Sequence, residues 1–508
     1  MELIDNLALG FSVALSFEAL LFCALGVTAG MAIGVLPGVG PLAAIAMLLP
    51  LTFNLSPMSA LIMLAGIHYG TQYGGSIAAI LLRLPGTASA AVTSLDGYPM
   101  AQNGRPGPAL FLTTVASFFG GCVAVIVIAG FAPPLARMAL AFGPAEFFAI
   151  IVLGLIAAST ISSGSPVKGL AMVFVGLLLG LVGTDINSAV LRFTFDFPDI
   201  YDGVGLVPLA VGLFGISEVI ANISRTDGGG IVTQRITLRS LIPTGEEMRT
   251  SGWPIFRGTI VGSIFGALPG AGTAIASFVA YGVEKRISRY PEKFGKGAVE
   301  GVTAPESANN AAAQTAFVPT LTLGVPGDPV MALLLGALLI FGITPGPGVV
   351  TNEPELFWGL IASFWIGNLL LLILNVPLIG VWVWFLRVPQ RFLYPAILLF
   401  ICMGVYSIRS SPTDLLLAAL FGVIGYGMRL MKFEPAPLIL GFILGPMIEE
   451  FARRALLISG GDLTTFVTRP MSATFLAVAL LLLLLSFRRR PKSQTTQIPE
   501  PEQNERTS

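Results

Sequence analysis

Long apolar runs constrain this chain more than any other feature in it. Residues 14–33, 123–132 with their flanks, 147–158, 170–182, 357–385, 415–424 and 473–485 carry almost no charge. Such runs approach the roughly 20 apolar residues that cross a bilayer. Only 11% of the 508 residues are charged, against 54% hydrophobic, and a soluble fold of this length needs far more polar surface. The runs are continuous rather than alternating, which argues for helices and against a transmembrane barrel. The expectation is an all-α, polytopic integral membrane protein of about ten to twelve spans, partial ones included.

Several function classes fall away early. His68 is the only histidine, which excludes a histidine-rich metal site and a Ser-His-Asp triad centred elsewhere. Cys23, Cys122 and Cys402 lie in apolar stretches and read as core thiols without metal spacing. No GxxxxGK[ST] loop is present, so energy has to come from an ion gradient or another subunit. A zero net charge points to no particular partner and gives no sign of nucleic acid. The opening "MELIDNLALG" has two acids and no base, so a cleaved signal peptide is not expected. No cofactor is expected.

Two of the apolar stretches are broken in the same way. "GVLPGVG" at 34–40 and "GALPGAG" at 266–272 both interrupt a hydrophobic segment, although Pro and Gly are poor helix formers. The offset is 266 − 34 = 232 residues. A second break follows each copy: Leu84-Pro85-Gly86-Thr87 and Val325-Pro326-Gly327-Asp328, at an offset of 326 − 85 = 241. Interrupted segments in matching places of two halves point to a transporter built from repeats. The division expected is a first membrane repeat at 1–221, a cytoplasmic loop at 222–253, a second repeat at 254–486 and a disordered cytoplasmic tail at 487–508. Whether the repeats are parallel or inverted stays open.

The loop carries Arg225, Arg235, Arg239 and Arg249, and Lys285, Arg286, Arg289, Lys293 and Lys296 form a second basic patch. Both face the cytoplasm by the positive-inside rule. The segment between them, 255–283, then has to enter and return, with the LPG at the tip of a re-entrant hairpin. A single tilted, kinked span is the alternative.

A helix restarting after Pro-Gly presents free N–H groups and a positive dipole end, which suit carboxylates. Candidate substrate contacts at these tips are Pro37, Gly38 and Gly40, and Pro269, Gly270 and Gly272 with Thr273. Close helix packing is the competing reading. In "HYGTQYGGSIAAILLRLPGTASA", 68–90, the polar side chains face a cavity or a neighbouring helix. Tyr73, Gly74, Gly75, Ser76, Pro85, Gly86 and Thr87 are further candidates. Arg83 either pairs with a substrate carboxylate or snorkels to the interface. His68 reads as a hydrogen-bonded core residue.

"VTAPESANNAAAQTAFVPT", 302–320, is the densest polar stretch. Pro305-Glu306 reads as a helix start. Glu306 and Asn310 share a face. The candidate ion-coupling residues are Glu306, Ser307, Asn309, Asn310 and Asp328, with Na⁺ placed at Ser307, Asn309 and Asn310 because oxygen ligands suit a hard cation. Glu306 is equally suited to carry a proton, or to cap the helix.

"GVLPGVG", "YGGSIAAIL…LPGTASA", "DGYPMAQNG", "APESANNAA" and "GVPGDPVMALLLGAL" together resemble the large membrane subunit of the tripartite tricarboxylate transporters. The resemblance runs from about Gly30 to Gly348. It implies a bacterial inner-membrane permease that works with a small four-span membrane subunit and a periplasmic substrate-binding protein. Uptake of carboxylates such as citrate, driven by Na⁺ or H⁺, is the implied activity, and enzymatic activity is not. The family motifs fall here on the candidates named above other than Arg83 and Thr273, and on Pro305, Pro326 and Gly327. Where many relatives carry lysines, this chain has Gln102 and Asn103, which weakens anion steering by that loop. A passive channel or an uncoupled scaffold subunit is the alternative, ahead of an intramembrane enzyme, which lacks an evident nucleophile–base pair or metal cluster.

Overall fold

Each Pro-Gly break falls between helices in the computed structural model, which describes residues 2–161, 165–185, 187–222, 237–270, 272–386 and 390–488. The chain is all-α apart from a two-residue antiparallel β pairing of Gly183–Thr184 with Leu191–Arg192. It is polytopic. Five described helices are long and apolar enough to cross a membrane: Phe17–Gly34, Pro106–Ala139, Pro354–Asn375, Pro412–Leu430 and Pro470–Phe487. Seven shorter apolar helices accompany them, of which Pro41–Thr52 and Pro329–Ile340 start directly after a break.

The first half runs Phe17–Gly34, break, Pro41–Thr52, Pro57–Leu82, break, Ala90–Gln102, Pro106–Ala139. The second runs Gly245–Ala267, break, Gly272–Ile287, Glu300–Thr315 continuing as Phe317–Leu323, break, Pro329–Ile340, Pro354–Asn375. Caps set the starts. Ser56 accepts from the Ser59 N–H with Pro57 in the first turn, and Thr244 and Glu247 form a capping box. That box starts a helix at Gly245, inside the stretch expected to be loop to 253. Residues 223–236, with Arg225 and Arg235, and the tail beyond 488 lie outside the described residues.

Glycine ladders join the helices of each half. A Cβ on Gly26, Gly30 or Gly34 would meet the carbonyl oxygens of Met63, Ile67 and Thr71 at 2.3–2.5 Å. A Cβ on Gly258, Gly262 or Gly266 would meet those of Ala304, Ala308 and Ala312 at 2.2–2.4 Å. Both registers advance evenly, so the first helix of each half runs parallel to its long polar helix, at the close approach that small residues allow. The two ladders superimpose at the offsets of the breaks: 258 − 26 = 232 on one side and 304 − 63 = 241 on the other.

Between the ladder helices the chain folds back. Arg257 pairs with Glu284 at 2.5 Å across the second LPG. In a straight helix those residues would stand roughly 40 Å apart, so Gly245–Ala267 and Gly272–Ile287 form an antiparallel hairpin with the LPG at its tip.

Contacts between the halves settle their relative direction. Ile80, near the end of Pro57–Leu82, packs on Gly97. The adjacent Asp96 accepts from the N–H groups of Gly295, Gly297 and Ala298, which lead into the Glu300 helix. The end of one polar helix therefore lies beside the start of the other, and the two run antiparallel, meeting midway where His68 faces Phe317. Pro106–Ala139 starts beside the Gly245 helix through Arg105–Glu247 at 2.7 Å. The halves are inverted copies about an axis lying in the membrane plane, an arrangement shared by many carriers.

Candidate functional site

The two polar helices are almost wholly buried. Every residue from Ser59 to Leu81, and from Gly301 to Thr315, is buried. Apolar neighbours cannot satisfy so many polar side chains, and an unpaired buried polar group costs about 1–3 kcal/mol. Yet His68, Tyr69 and Tyr73 on one helix have ring nitrogens or phenol oxygens without a hydrogen-bond partner at ordinary geometry, and so do amide atoms of Asn309, Asn310 and Gln314 on the other, with only looser approaches of the Ala313 backbone to His68, of Cys23 to Tyr69 and of Glu306 to Asn309. These six positions pair at the repeat offset: 309 − 68, 310 − 69 and 314 − 73 are each 241. Both inverted halves leave polar atoms unmatched at the same three places, beside the axis that relates them. His68 is buried as expected, and its ring is approached by the Ala313 backbone without a bond of ordinary geometry.

Glu306 sits in this cluster, fully buried. Its carboxylate accepts from the Thr93 hydroxyl and from Ser117 at 3.3 Å. Asn310 donates to Ser117 Oγ at 2.7 Å and to the Glu306 carbonyl at 3.1 Å, which leaves its own Oδ1 unpaired. Buried Glu146, Glu247 and Glu284 each pair with an arginine, whereas buried Asp96 and Asp328 accept from backbone N–H groups and the Glu306 carboxylate meets hydroxyls.

Two expectations change here. Pro305-Glu306 is not a helix start, because the helix begins at Glu300 and carries Pro305 inside it. Ser307, Asn309 and Asn310 do not gather on one ion. Ser307 donates to Ala304 O at 3.0 Å and lies under Gly258. It projects about 160° away from Asn309 on a helix of 100° per residue. Asp328 caps the Pro329 helix, accepting from the Met331 N–H at 2.9 Å. Its counterpart Thr87 does the same for Ala90, accepting at 3.2 Å.

The breaks meet within each half. Gly86 packs against Gly75 and the Gly34 carbonyl, and Gly327 against Ala316 and the Gly266 carbonyl. Pro85, Pro326, Gly74 and Ser76 belong to the same junctions, where Ser76 donates to Tyr73 O at 2.8 Å. Gly38 and Gly270, at equivalent tips, share φ values of 85° and 84°, a left-handed conformation that favours glycine. The tips then differ. The Gly270 N–H donates to Gly327 O at 2.7 Å, whereas no such bond joins Gly38 to Gly86 among the described residues. Gly270 packs on Ala157, while Gly38 faces the Glu218 and Asn222 side chains. Beside Gly40 lies a cavity of about 450 Å³ lined by Ser217, Glu218, Arg429 and Lys432 among others. No described contact joins the two tips to each other. Pro37 and Pro269 stand in the turns themselves, and Thr273 is half-buried in the first turn after the second tip. Arg83 is exposed, in a left-handed helix cap, with its guanidinium 5.7 Å from the Tyr98 ring centre, away from the buried cluster.

Sequence reasoning missed Thr93, Ser117, Asp96 and Asn368. Asn368 breaks a wholly apolar run, which is a usable signal. Asp96 lies in a quoted motif, and its three N–H bonds with the Tyr281 hydroxyl at 2.9 Å satisfy a charge that would otherwise be costly. Nothing distinguishes Ser117 from other small residues of its helix.

Comparison with known proteins places the sequence among relatives. A family model described as "Tripartite tricarboxylate transporter TctA family" matches residues 20–440. An uncharacterized 52.8 kDa protein in the TAR-I ttuC' 3' region of Agrobacterium vitis is 53% identical over 480 residues, covering 94% of this chain and 95% of that one. An uncharacterized protein in the TAR-II ttuC' 3' region of the same organism is 54% identical over 237 residues, 47% of this chain and 98% of its own. No solved structure matches.

Proposed function

The chain belongs to the tripartite tricarboxylate transporter TctA family, and from that premise we propose that it is the large permease subunit of a binding-protein-dependent secondary transporter. The substrates are carboxylates of the citrate type, imported by Na⁺ or H⁺ symport across the bacterial inner membrane. A small four-span membrane subunit and a periplasmic binding protein complete the system. The observation that carries this reading is the set of unmatched polar positions repeated at the same three places in two inverted halves. An inverted pair can alternate, one half opening as the other closes, around a site on the axis.

The side bearing Lys285 to Lys296 is taken as cytoplasmic. The first tip then offers a carboxylate the backbone of Gly38 and Gly40, with Lys432 and the Glu218-paired Arg429 lining the adjoining cavity. At the second tip the Gly270 N–H is already held by Gly327, so this tip engages substrate after that bond opens. Glu306, buried without a cationic partner, couples the ion to the substrate. No nucleophile or catalytic pair enters this account, and the reading is a carrier rather than an enzyme.

The test is uptake of labelled citrate and other carboxylates into proteoliposomes holding this chain and its small partner, with the binding protein outside. Accumulation above equilibrium under an imposed Na⁺ or H⁺ gradient supports the carrier. Equilibration without accumulation makes it a channel, and chemical change of the substrate makes it an enzyme.

A further inference from the structure

One turn of the Pro106–Ala139 helix collects polar groups from both halves. Ser117 and Gly121 lie one turn apart on the same face, about 6 Å from each other. At Ser117 stand the Glu306 carboxylate, 3.3 Å away, and the Asn310 amide, 2.7 Å away. At Gly121 stands Asn368, so close that a Cβ there would lie 2.7 Å from its Oδ1. Asn368 comes from the Pro354–Asn375 helix, is fully buried, and has both amide atoms unpaired. The Asn310 amide is held by two bonds through its nitrogen, so its oxygen is presented outward and unpaired.

The chemistry of this group favours a cation. It offers a carboxylate, two amide oxygens and a hydroxyl, the hard oxygen donors that suit Na⁺. No arginine or lysine approaches the Glu306 carboxylate among the described residues, and unlike buried Asp96 and Asp328, which accept from backbone N–H groups, it accepts only from side chains. An anion placed here would add a second negative charge in a low dielectric, which is heavily penalised. We propose that Glu306, Asn310, Asn368 and Ser117 form a sodium-ion site at the interface of the inverted halves. The counterpart of Glu306 at the repeat offset is Ala65, so the site is built once per chain and not twice. The proposal rests on the carrier reading above and replaces the Ser307–Asn309–Asn310 arrangement, which the helix geometry does not support.

Trp365 is a native reporter: its indole donates to Cys122 O at 3.2 Å, one residue from Gly121. The experiment measures thermal unfolding and tryptophan emission of the purified full chain in NaCl, KCl and choline chloride at equal ionic strength. Wild type is expected to show a saturable rise in Tm and an emission change with Na⁺ alone, the emission change being lost in Trp365→Phe. Asn368→Ala and Ser117→Ala lose the Na⁺ response, while Asn368→Asp, which keeps an oxygen at that place, retains it. Asn375→Ala, on the same helix but bonded to Met31 and Leu371, leaves it unchanged. A merely structural Asn368 would make Ala and Asp variants equally unstable in every salt, and that result overturns the site. So does equal wild-type stability in Na⁺ and K⁺. In that case proton-driven uptake in proteoliposomes would leave the carrier reading standing. Conversely, a Na⁺ response without uptake under any gradient would sink the carrier and keep the site.

Discussion

The equivalence of the two glycine ladders makes a paired prediction. In Gly30→Ala the new Cβ would lie 2.4 Å from the Ile67 carbonyl oxygen and 2.7 Å from its Cα. In Gly262→Ala it would lie 2.2 Å from Ala308 O and 2.6 Å from Ala308 Cα. These are backbone atoms of a buried helix and cannot rotate away. The helices must part by about 1 Å to restore ordinary contact, and overpacking of this kind costs about 1–3 kcal/mol. The gain in helix propensity from Gly to Ala returns at most about 1 kcal/mol. Each substitution should therefore destabilise by about 1–2 kcal/mol, a factor of about 5–30 in the folded population. Gly282→Ala is the control: it lies in the Gly272–Ile287 helix with nothing within 4 Å and should be neutral or stabilising. Unfolding by SDS titration in mixed micelles measures all three. If Gly30→Ala and Gly262→Ala match Gly282→Ala in stability, the close approach of the ladder helices is wrong, and the alignment of the halves with it.

Other consequences are as direct. Glu306→Gln keeps the size of the side chain and an acceptor for one hydroxyl, so abundance should be near normal while gradient-driven accumulation is lost. Glu306→Ala orphans the Thr93 and Ser117 hydroxyls and should cost a further ~2–4 kcal/mol, read as lower yield and Tm. Asp96→Ala strands three N–H groups and a phenol and is expected to lose most folded protein in a fluorescence-detected size-exclusion assay. Asp96→Asn keeps one acceptor oxygen and should recover part of it. Arg257→Glu or Glu284→Arg alone breaks a pair whose acid is 2% exposed, at about 3–5 kcal/mol. The double exchange should restore stability if the hairpin is antiparallel, and a straight helix would show no rescue.

Much of this architecture was legible in the order of residues. Apolar runs of bilayer length fix the class, because a chain so poor in charge cannot cover itself in water. The two offsets, 232 and 241, mark the halves, since Pro and Gly interrupt a helix wherever they fall. A closer look at spacing would also have exposed Gly26, Gly30 and Gly34 repeating as Gly258, Gly262 and Gly266.

Only the tertiary structure decided direction and facing. A Pro-Gly break in an apolar run is equally a kink or a hairpin tip, and the Arg257–Glu284 pair distinguishes them. Inversion of the halves appears only when Asp96 is seen holding the approach to the Glu300 helix. Which oxygens converge depends on how each helix is rotated against its neighbours. Ser307 and Asn309 lie two residues apart in the chain yet point to nearly opposite faces. Asn368 lies 58 residues from Asn310 in the chain (368 − 310), yet the two approach the Pro106 helix one turn apart, at Gly121 and Ser117. Distance along a chain sets what can repeat. Rotation and packing of helices set what can touch.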